Sequence, residues 1–311
     1  MIKRVVQWSV TVALIAYVVW FLVDHRAVFS QRFSGTAWHA TLLGIGVIAT
    51  WMVNSLQTLL PLRELGIRVG FWENTLLTAA AGFGNYLPMR AGSVMRLHYI
   101  KSLHGVGYLQ YGGILGVRAL LLLWGAGAVG LFGGAALFLA GRAVRADVFF
   151  LFAGILVVGV MPFLIPFRRL LPSSGPVGRM GTELARAMTL MHQNRWMTWQ
   201  YLGLVALQFA ILTGRLAVAF DVMQQRPTPW IYCFLSPVAT ILSFINITPG
   251  NLGLREWMIG LLSSGMGIDY AVGIFAASVD RVVSVALTFA LGGLASILVA
   301  IRLARAGRSS E

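Results

Sequence analysis

Among the charged residues inside apolar stretches or helical hairpins of this chain, eight could do chemistry: Arg90, Arg96, Arg118, Arg215, Arg255, Glu256, Asp280 and Arg281. A charge at the centre of a bilayer costs about 2.5–3.5 kcal/mol on insertion scales, so groups of this kind pair with one another or take a ligand. Six are cations and two are anions, so the acids neutralise at most two arginines in simple pairs. The remainder is positive, and an anionic ligand is its simplest partner. A guanidinium meets phosphate or carboxylate through a planar two-bond fork, which suits such a role. Plainer readings stand beside this one. Arg255 with Glu256 also fits a static polar clamp, and Arg118 and Arg281 fit interhelical ties, Arg281 being next to Asp280. Arg96 and Arg215 fit snorkelling side chains, Arg215 lying near the outer end of its span.

Two proline–glycine breaks sit beside these charges. Asn85-Tyr86-Leu87-Pro88 with Gly92 matches Asn246-Ile247-Thr248-Pro249 with Gly253 at a constant offset of 161 residues. A half-helix starting near Gly92 or Gly253 points free backbone N–H groups and its positive dipole end into the membrane, and such an end favours phosphate. Arg90 lies two residues before Gly92 and Arg255 two after Gly253, which places both beside the hairpin tips. Gly92, Gly250 and Gly253 permit close backbone approach. Asn85, Asn246 and Thr248 can satisfy carbonyls exposed at each break or hydrogen-bond a ligand.

Other chemistries have little support. His98 and His104 are six apart, off one helical face and without an acidic cluster, so no metal site is expected. Lys101-Ser102 follows Ile100 where a phosphate-binding loop has glycine, and Cys233 is the single cysteine. Glu256 and Asp280 are separated and each has an arginine neighbour, unlike a paired-carboxylate centre. The expectation is a non-enzyme with no cofactor and no nucleic-acid partner.

The elements that must position these residues follow from composition. Of 311 residues 58% are apolar and 11% charged, too few charges for a soluble surface, so the fold expected is an all-α integral membrane protein. Six stretches reach the ~20 residues needed to cross a bilayer: Val5 to Val23, Trp38 to Leu60, Gly107 to Ala140, Val148 to Phe167, Trp196 to Phe220 and Ile268 to Ile301. The first is read as uncleaved, because Asp24-His25-Arg26 follows it instead of small residues. Residues 73–103 and 230–264 read as two re-entrant helical hairpins, though the longer first limb of the second leaves a full crossing pair open. Arg118 and Arg281, each about a third of the way into a long span, are 163 residues apart. Residues 1–140 and 141–311 therefore read as two repeats, each with two spans, a hairpin and a long span (107–140 and 268–301). Three crossings per half invert the second half relative to the first.

Charge placement tests that parity. The chain carries 24 basic against 10 acidic residues, a formal +14, and the basic set is 22 Arg with only Lys3 and Lys101. The arginine excess leans toward anions or lipid headgroups, and a GC-rich genome would also produce it. Twelve basic residues fall on one side of the expected topology and five on the other, which puts both termini in the cytoplasm of a bacterial inner membrane. Residues 176–195 place Met180, Leu184, Ala187, Met188 and Met191 on one helical face, as an interfacial linker helix would.

The segments Asn85-Tyr86-Leu87-Pro88-Met89-Arg90-Ala91-Gly92 with Arg96, Thr248-Pro249-Gly250-Asn251-Leu252-Gly253-Leu254-Arg255-Glu256, and Arg281 in the last span resemble the flippase-like membrane domain of the lysylphosphatidylglycerol synthetase/flippase family. The resemblance covers nearly the whole chain. It implies two inverted halves with facing hairpins and movement of charged or glycosylated lipids between leaflets. Where the family often has acids, this chain has Ser93 and Val117, which argues against acidic coupling in the first half. Only Arg302 to Glu311 follow the last span, so lipid aminoacylation by a soluble domain is not expected.

The leading expectation is thus a lipid flippase whose partner is an anionic membrane lipid or lipid-linked glycan. Arg90 and Arg255 would bind the anion, Arg118 and Arg281 would complete the polar path, and Glu256 and Asp280 would orient them. A membrane-embedded transferase on a lipid-linked substrate and a scaffold for envelope lipid synthesis are the alternatives.

Overall fold

The computed structural model describes residues 24, 32–86, 91–142, 146–164, 175–245 and 253–308. Among them regular structure is helical throughout: α1 (Ala37–Glu64), α2 (Phe71–Gly84), α3 (Ala91–His104), α4 (Tyr108–Leu139), α5 (Ala146–Leu164), α6 (Gly175–Gln193), α7 (Arg195–Val222), α8 (Pro229–Ile245), α9 (Leu254–Ser264), α10 (Tyr270–Leu287), a π-helical turn (Thr288–Gly292) and α11 (Gly293–Arg308). Among the described residues five elements are long and apolar enough to cross a membrane: α1, α4, α5, α7 and the continuous run Tyr270–Arg305. They coincide with five of the six expected spans. The first, Val5 to Val23, lies outside the described residues.

Each region expected to form a hairpin holds two shorter helices. α2 and α3 have 14 residues each, and α8 and α9 have 17 and 11. At 1.5 Å per residue these are roughly 21, 21, 26 and 17 Å long, all short of a ~30 Å hydrocarbon core. Residues 87–90 and 246–252 lie outside the described residues, and Arg90, Asn246, Thr248 and Gly250 with them.

Much of the apolar surface is turned outward. Phe138, Phe150, Leu164, Val157, Val282, Leu294 and Ile297 are exposed, and α5 is the least buried of the long helices. A water-soluble chain rarely exposes so much contiguous hydrocarbon, whereas lipid tails solvate it without cost.

The chain forms two compact units. Unit 1 comprises residues 1–48, 126–155 and 209–286, and unit 2 comprises 49–125, 156–208 and 287–311. The core of unit 1 is built from Leu216, Phe220, Tyr232, Phe234, Leu235, Ile259, Val272 and Phe275 of α7, α8, α9 and α10. In unit 2 the core joins Leu59, Leu62, Leu77, Tyr99, Ile100, Tyr111, Ile114 and Val299, from α1, α2, α3, α4 and α11.

Small residues set the closest helix approaches inside unit 2. A Cβ on Gly92 would strike the Ala81 carbonyl, so α2 and α3 pack backbone to backbone. One on Gly113 would lie 2.7 Å from the Glu183 carbonyl, so α6 rests directly on α4. That seating buries Ala187, Met188 and Met191 as their spacing predicts, but Met180 points outward with 55% of its surface exposed. The contact is centred on the Glu183–Leu184 backbone, one turn beyond Met180. α1 ends where Gly66 adopts φ +75° and Ile67 N–H bonds back to Leu62 O at 3.0 Å, a left-handed stop that starts the turn into α2.

Candidate functional site

Each unit holds a buried cationic centre, and the two are compensated differently. In unit 2, Asn54, Gln57 and Thr58 stand at i, i+3 and i+4 on α1, one face of the helix. Arg118 of α4 donates from Nε to Gln57 Oε1 at 3.1 Å and from a terminal nitrogen to Asn54 Oδ1 at 2.7 Å. Gln57 in turn donates to Gln208 Oε1 of α7 at 2.8 Å. Arg96 of α3 donates to Thr58 Oγ1 at 3.1 Å and to Asn74 Oδ1 of α2 at 3.2 Å. Asn74 is itself fixed by the carbonyl and hydroxyl of Ser55. The Arg96 guanidinium carbon lies 5.9 Å from the Tyr111 ring centroid, within cation–π range.

Each of these hydrogen-bond acceptors is neutral. Among the described residues no carboxylate pairs with Arg96 or Arg118. Two positive charges within electrostatic range of each other are therefore held, among the described residues, by amide and hydroxyl oxygens and the Tyr111 ring, without a carboxylate. Arg96 is thus buried and polar-bonded, contrary to the snorkelling expectation.

Unit 1 pairs its cations with acids. Asp280 of α10, 1% exposed, accepts Arg215 Nε of α7 on Oδ1 at 2.9 Å and Arg255 of α9 on Oδ2 at 2.7 Å. Arg215 also donates to Ser284 Oγ. Glu256 Oε2 accepts the Gly253 N–H at 2.9 Å, capping α9 at the point where Gly253 takes φ +84°. Its other oxygen stands 3.9 Å from Arg281 Nε. Two expectations change here. Arg215 does not snorkel: it is 8% exposed, its stem lies where a side chain on Gly46 would be, and its head meets Asp280. Asp280 serves Arg215 and Arg255 instead of its neighbour Arg281, because consecutive helical residues point about 100° apart.

Beside this centre a cavity of about 570 Å³ runs along α1 and α10 within unit 1, with walls including Leu43, Val222, Phe275, Val279 and Val282. Such walls suit hydrocarbon. Between α2 and α3, Asn85 Oδ1 accepts both the backbone N–H of Ser93 at 3.2 Å and its hydroxyl at 3.1 Å. One free N–H at the start of α3 is thus already taken by the protein, and Gly92 serves close packing there.

The structure therefore brings together Arg96 with Arg118, and separately Arg255, Glu256, Asp280, Arg281 and Gly253. Sequence reasoning missed Asn54, Gln57, Thr58, Asn74 and Gln208, and the aromatic pair Tyr111 and Tyr201. The polar residues at helical spacing in the otherwise apolar α1 were the available signal. So were Tyr111 with Arg118 and Tyr201 with Gln208, each seven residues and two turns apart.

Five apolar helices long enough to span a bilayer, among the described residues, define a multi-pass membrane protein. The family described as lysylphosphatidylglycerol synthase TM region matches residues 8–292, and the chain belongs to it. Neither the curated proteins nor the solved structures contain a match.

Proposed function

We propose that this protein is a lipid translocase that moves an anionic, phosphate-bearing headgroup across a bacterial cytoplasmic membrane while the acyl or prenyl chains remain in lipid. The observation that carries this is the Arg96–Arg118 pair: a buried and a half-buried arginine whose hydrogen-bond acceptors, among the described residues, are neutral oxygens. A permanent protein partner would be a carboxylate, as in unit 1. Neutral acceptors orient the cations without satisfying their charge, which leaves them poised for an anion that comes and goes.

Membership of a membrane-lipid family supports the same reading. So do the two hairpins of sub-membrane length, each with a glycine opening its second limb, which fit a re-entrant inverted repeat within six spans. With basic residues concentrated on one side, both termini are cytoplasmic and α6 lies in that interface. Asp280 and Glu256 act in this scheme as fixed counter-charges for Arg215, Arg255 and Arg281.

The test is reconstitution into vesicles carrying a fluorescent phosphatidylglycerol, with dithionite quenching of the outer leaflet. Wild-type protein raises the transbilayer rate, and an Arg96→Gln/Arg118→Gln variant reduces it to that of empty vesicles. An unchanged rate in the double variant sinks the proposal, and covalent turnover of the lipid in the same vesicles would replace it with a transferase.

A further inference from the structure

The ligand class follows from three donors without acceptors among the described residues. Arg96 Nε, the Tyr111 hydroxyl and the Tyr201 hydroxyl are buried and have no hydrogen-bond partner among them, with Tyr111 and Tyr201 only 1% and 2% exposed. Buried polar groups in folded proteins are almost always paired, so three orphans beside two cations mark a place designed for something else.

Their placement is consistent. Tyr111 and Arg118 share one face of α4, and Tyr201 and Gln208 share one face of α7, since seven residues make two turns. Gln208 and Arg118 both bond Gln57, which brings those two faces onto the same part of α1. Each tyrosine then lies about 10 Å along its own helix from that point, toward the helix N-terminus. Arg118 lies within electrostatic range of both tyrosines and of Arg96, and Arg96 stands over the Tyr111 ring.

A phenol hydroxyl both donates and accepts, but guanidinium has no lone pair to offer and only donates. In this company every unmet bond needs an acceptor. Tyrosines can hold an oxyanion in place without adding charge to the two arginines already present. A carboxylate offers two oxygens on one side of a plane, whereas the non-bridging oxygens of phosphate accept from donors arriving from several directions.

We propose that Arg96, Arg118, Tyr111 and Tyr201 form an oxyanion cradle for a phosphate-type group. This rests on the translocase reading of the same site and names what the site takes: the phosphate of a lipid headgroup or free phosphate, in preference to a carboxylate or a neutral headgroup. The two tyrosines are binding residues.

The test uses full-length protein in maltoside micelles, which contain no phosphate, titrated with dihexanoyl phosphatidylglycerol, inorganic phosphate or hexanoate. Wild-type protein binds the short-chain phosphatidylglycerol. Tyr111→Phe/Tyr201→Phe weakens that binding at least about tenfold, the effect of losing hydrogen bonds to a charged group. Its thermal midpoint stays level or rises, because phenylalanine keeps the ring and removes an orphan hydroxyl. Competition by inorganic phosphate assigns the cradle to any phosphate, and lipid binding without such competition assigns it to the headgroup. Should the double variant fail to fold, Tyr201→Phe alone is read in the same way, with at least about a threefold loss. Unchanged lipid affinity in the folded variants, or hexanoate binding as tightly as phosphatidylglycerol, overturns the cradle. Vesicle assays separate the two ideas. Full translocation by the tyrosine variants defeats the cradle and spares the translocase, while phosphate binding without wild-type translocation does the reverse.

Discussion

Asp280→Asn is the perturbation that most sharply separates the two cationic centres. The carboxylate is 1% exposed and takes one arginine on each oxygen, at 2.9 and 2.7 Å. Asparagine keeps the shape but removes the charge, and its NH₂ faces one of the guanidiniums it replaces an acceptor for. Three arginines would then be balanced by Glu256 alone. Removing one partner of a buried ion pair costs about 3–5 kcal/mol because the remaining charge is left in low dielectric. For a chain of this length that corresponds to a drop on the order of 10 °C in thermal midpoint. Tryptophan fluorescence on the detergent-solubilised protein reads it directly. A cycle adding Arg215→Met and Arg255→Met should recover most of the loss, since the triple variant buries neither the acid nor its partners. In unit 2 the same logic has the opposite outcome: Arg118→Gln removes an uncompensated cation and should change stability by less than about 1 kcal/mol, in either direction. If Asp280→Asn melts within about 2 °C of wild type, or Arg118→Gln is the more damaging of the two, the distinction between a structural and a ligand-binding centre is wrong.

Glu256→Gln should be milder than Glu256→Ala: the amide oxygen still accepts the Gly253 N–H, and only the loose 3.9 Å pairing with Arg281 is lost, a difference of about 1 kcal/mol in the midpoint series. Gly92→Val should abolish accumulation of folded protein, as its side chain meets the Ala81 carbonyl, whereas Gly154→Ala, with open space around it, should behave as wild type in size-exclusion profiles. Gly113→Val should lift α6 from α4 and increase proteolysis near Glu183, with little change at α9. Gly46→Leu should displace the Arg215 stem and reproduce a large part of the Asp280→Asn loss.

What could be read in the sequence was what periodicity and hydropathy encode. The spans from Trp38 onward are apolar over enough residues to be unmistakable, and the limbs around Gly92 and Gly253 are visibly broken by proline and glycine. The cost of burying charge also singled out Arg96, Arg118, Arg255, Glu256, Asp280 and Arg281 before their partners were known. Pairing was harder. Arg215 looked like a snorkeller because its partner, Asp280, is 65 residues away, and the space for its stem comes from Gly46 on a third helix. Adjacent charges such as Asp280 and Arg281 invite a local pairing that helical geometry forbids. Tyr111 and Tyr201 escaped notice because a tyrosine in an apolar helix ordinarily marks packing or a membrane interface, and only the three-dimensional neighbourhood shows that its hydroxyl has nowhere to bond. Neutral Asn54, Gln57 and Asn74 carry no insertion penalty large enough to stand out beside arginine.

The most direct measurement of the central claim is native mass spectrometry of gently purified protein, with the retained lipids identified by fragmentation. Wild-type protein should retain an anionic phospholipid or lipid-linked phosphate, Asp280→Glu should keep it, and Arg96→Gln/Arg118→Gln should lose it. Equal anionic lipid on wild type and the arginine double variant, or retention of neutral lipid alone, would contradict an anion-binding site at that pair.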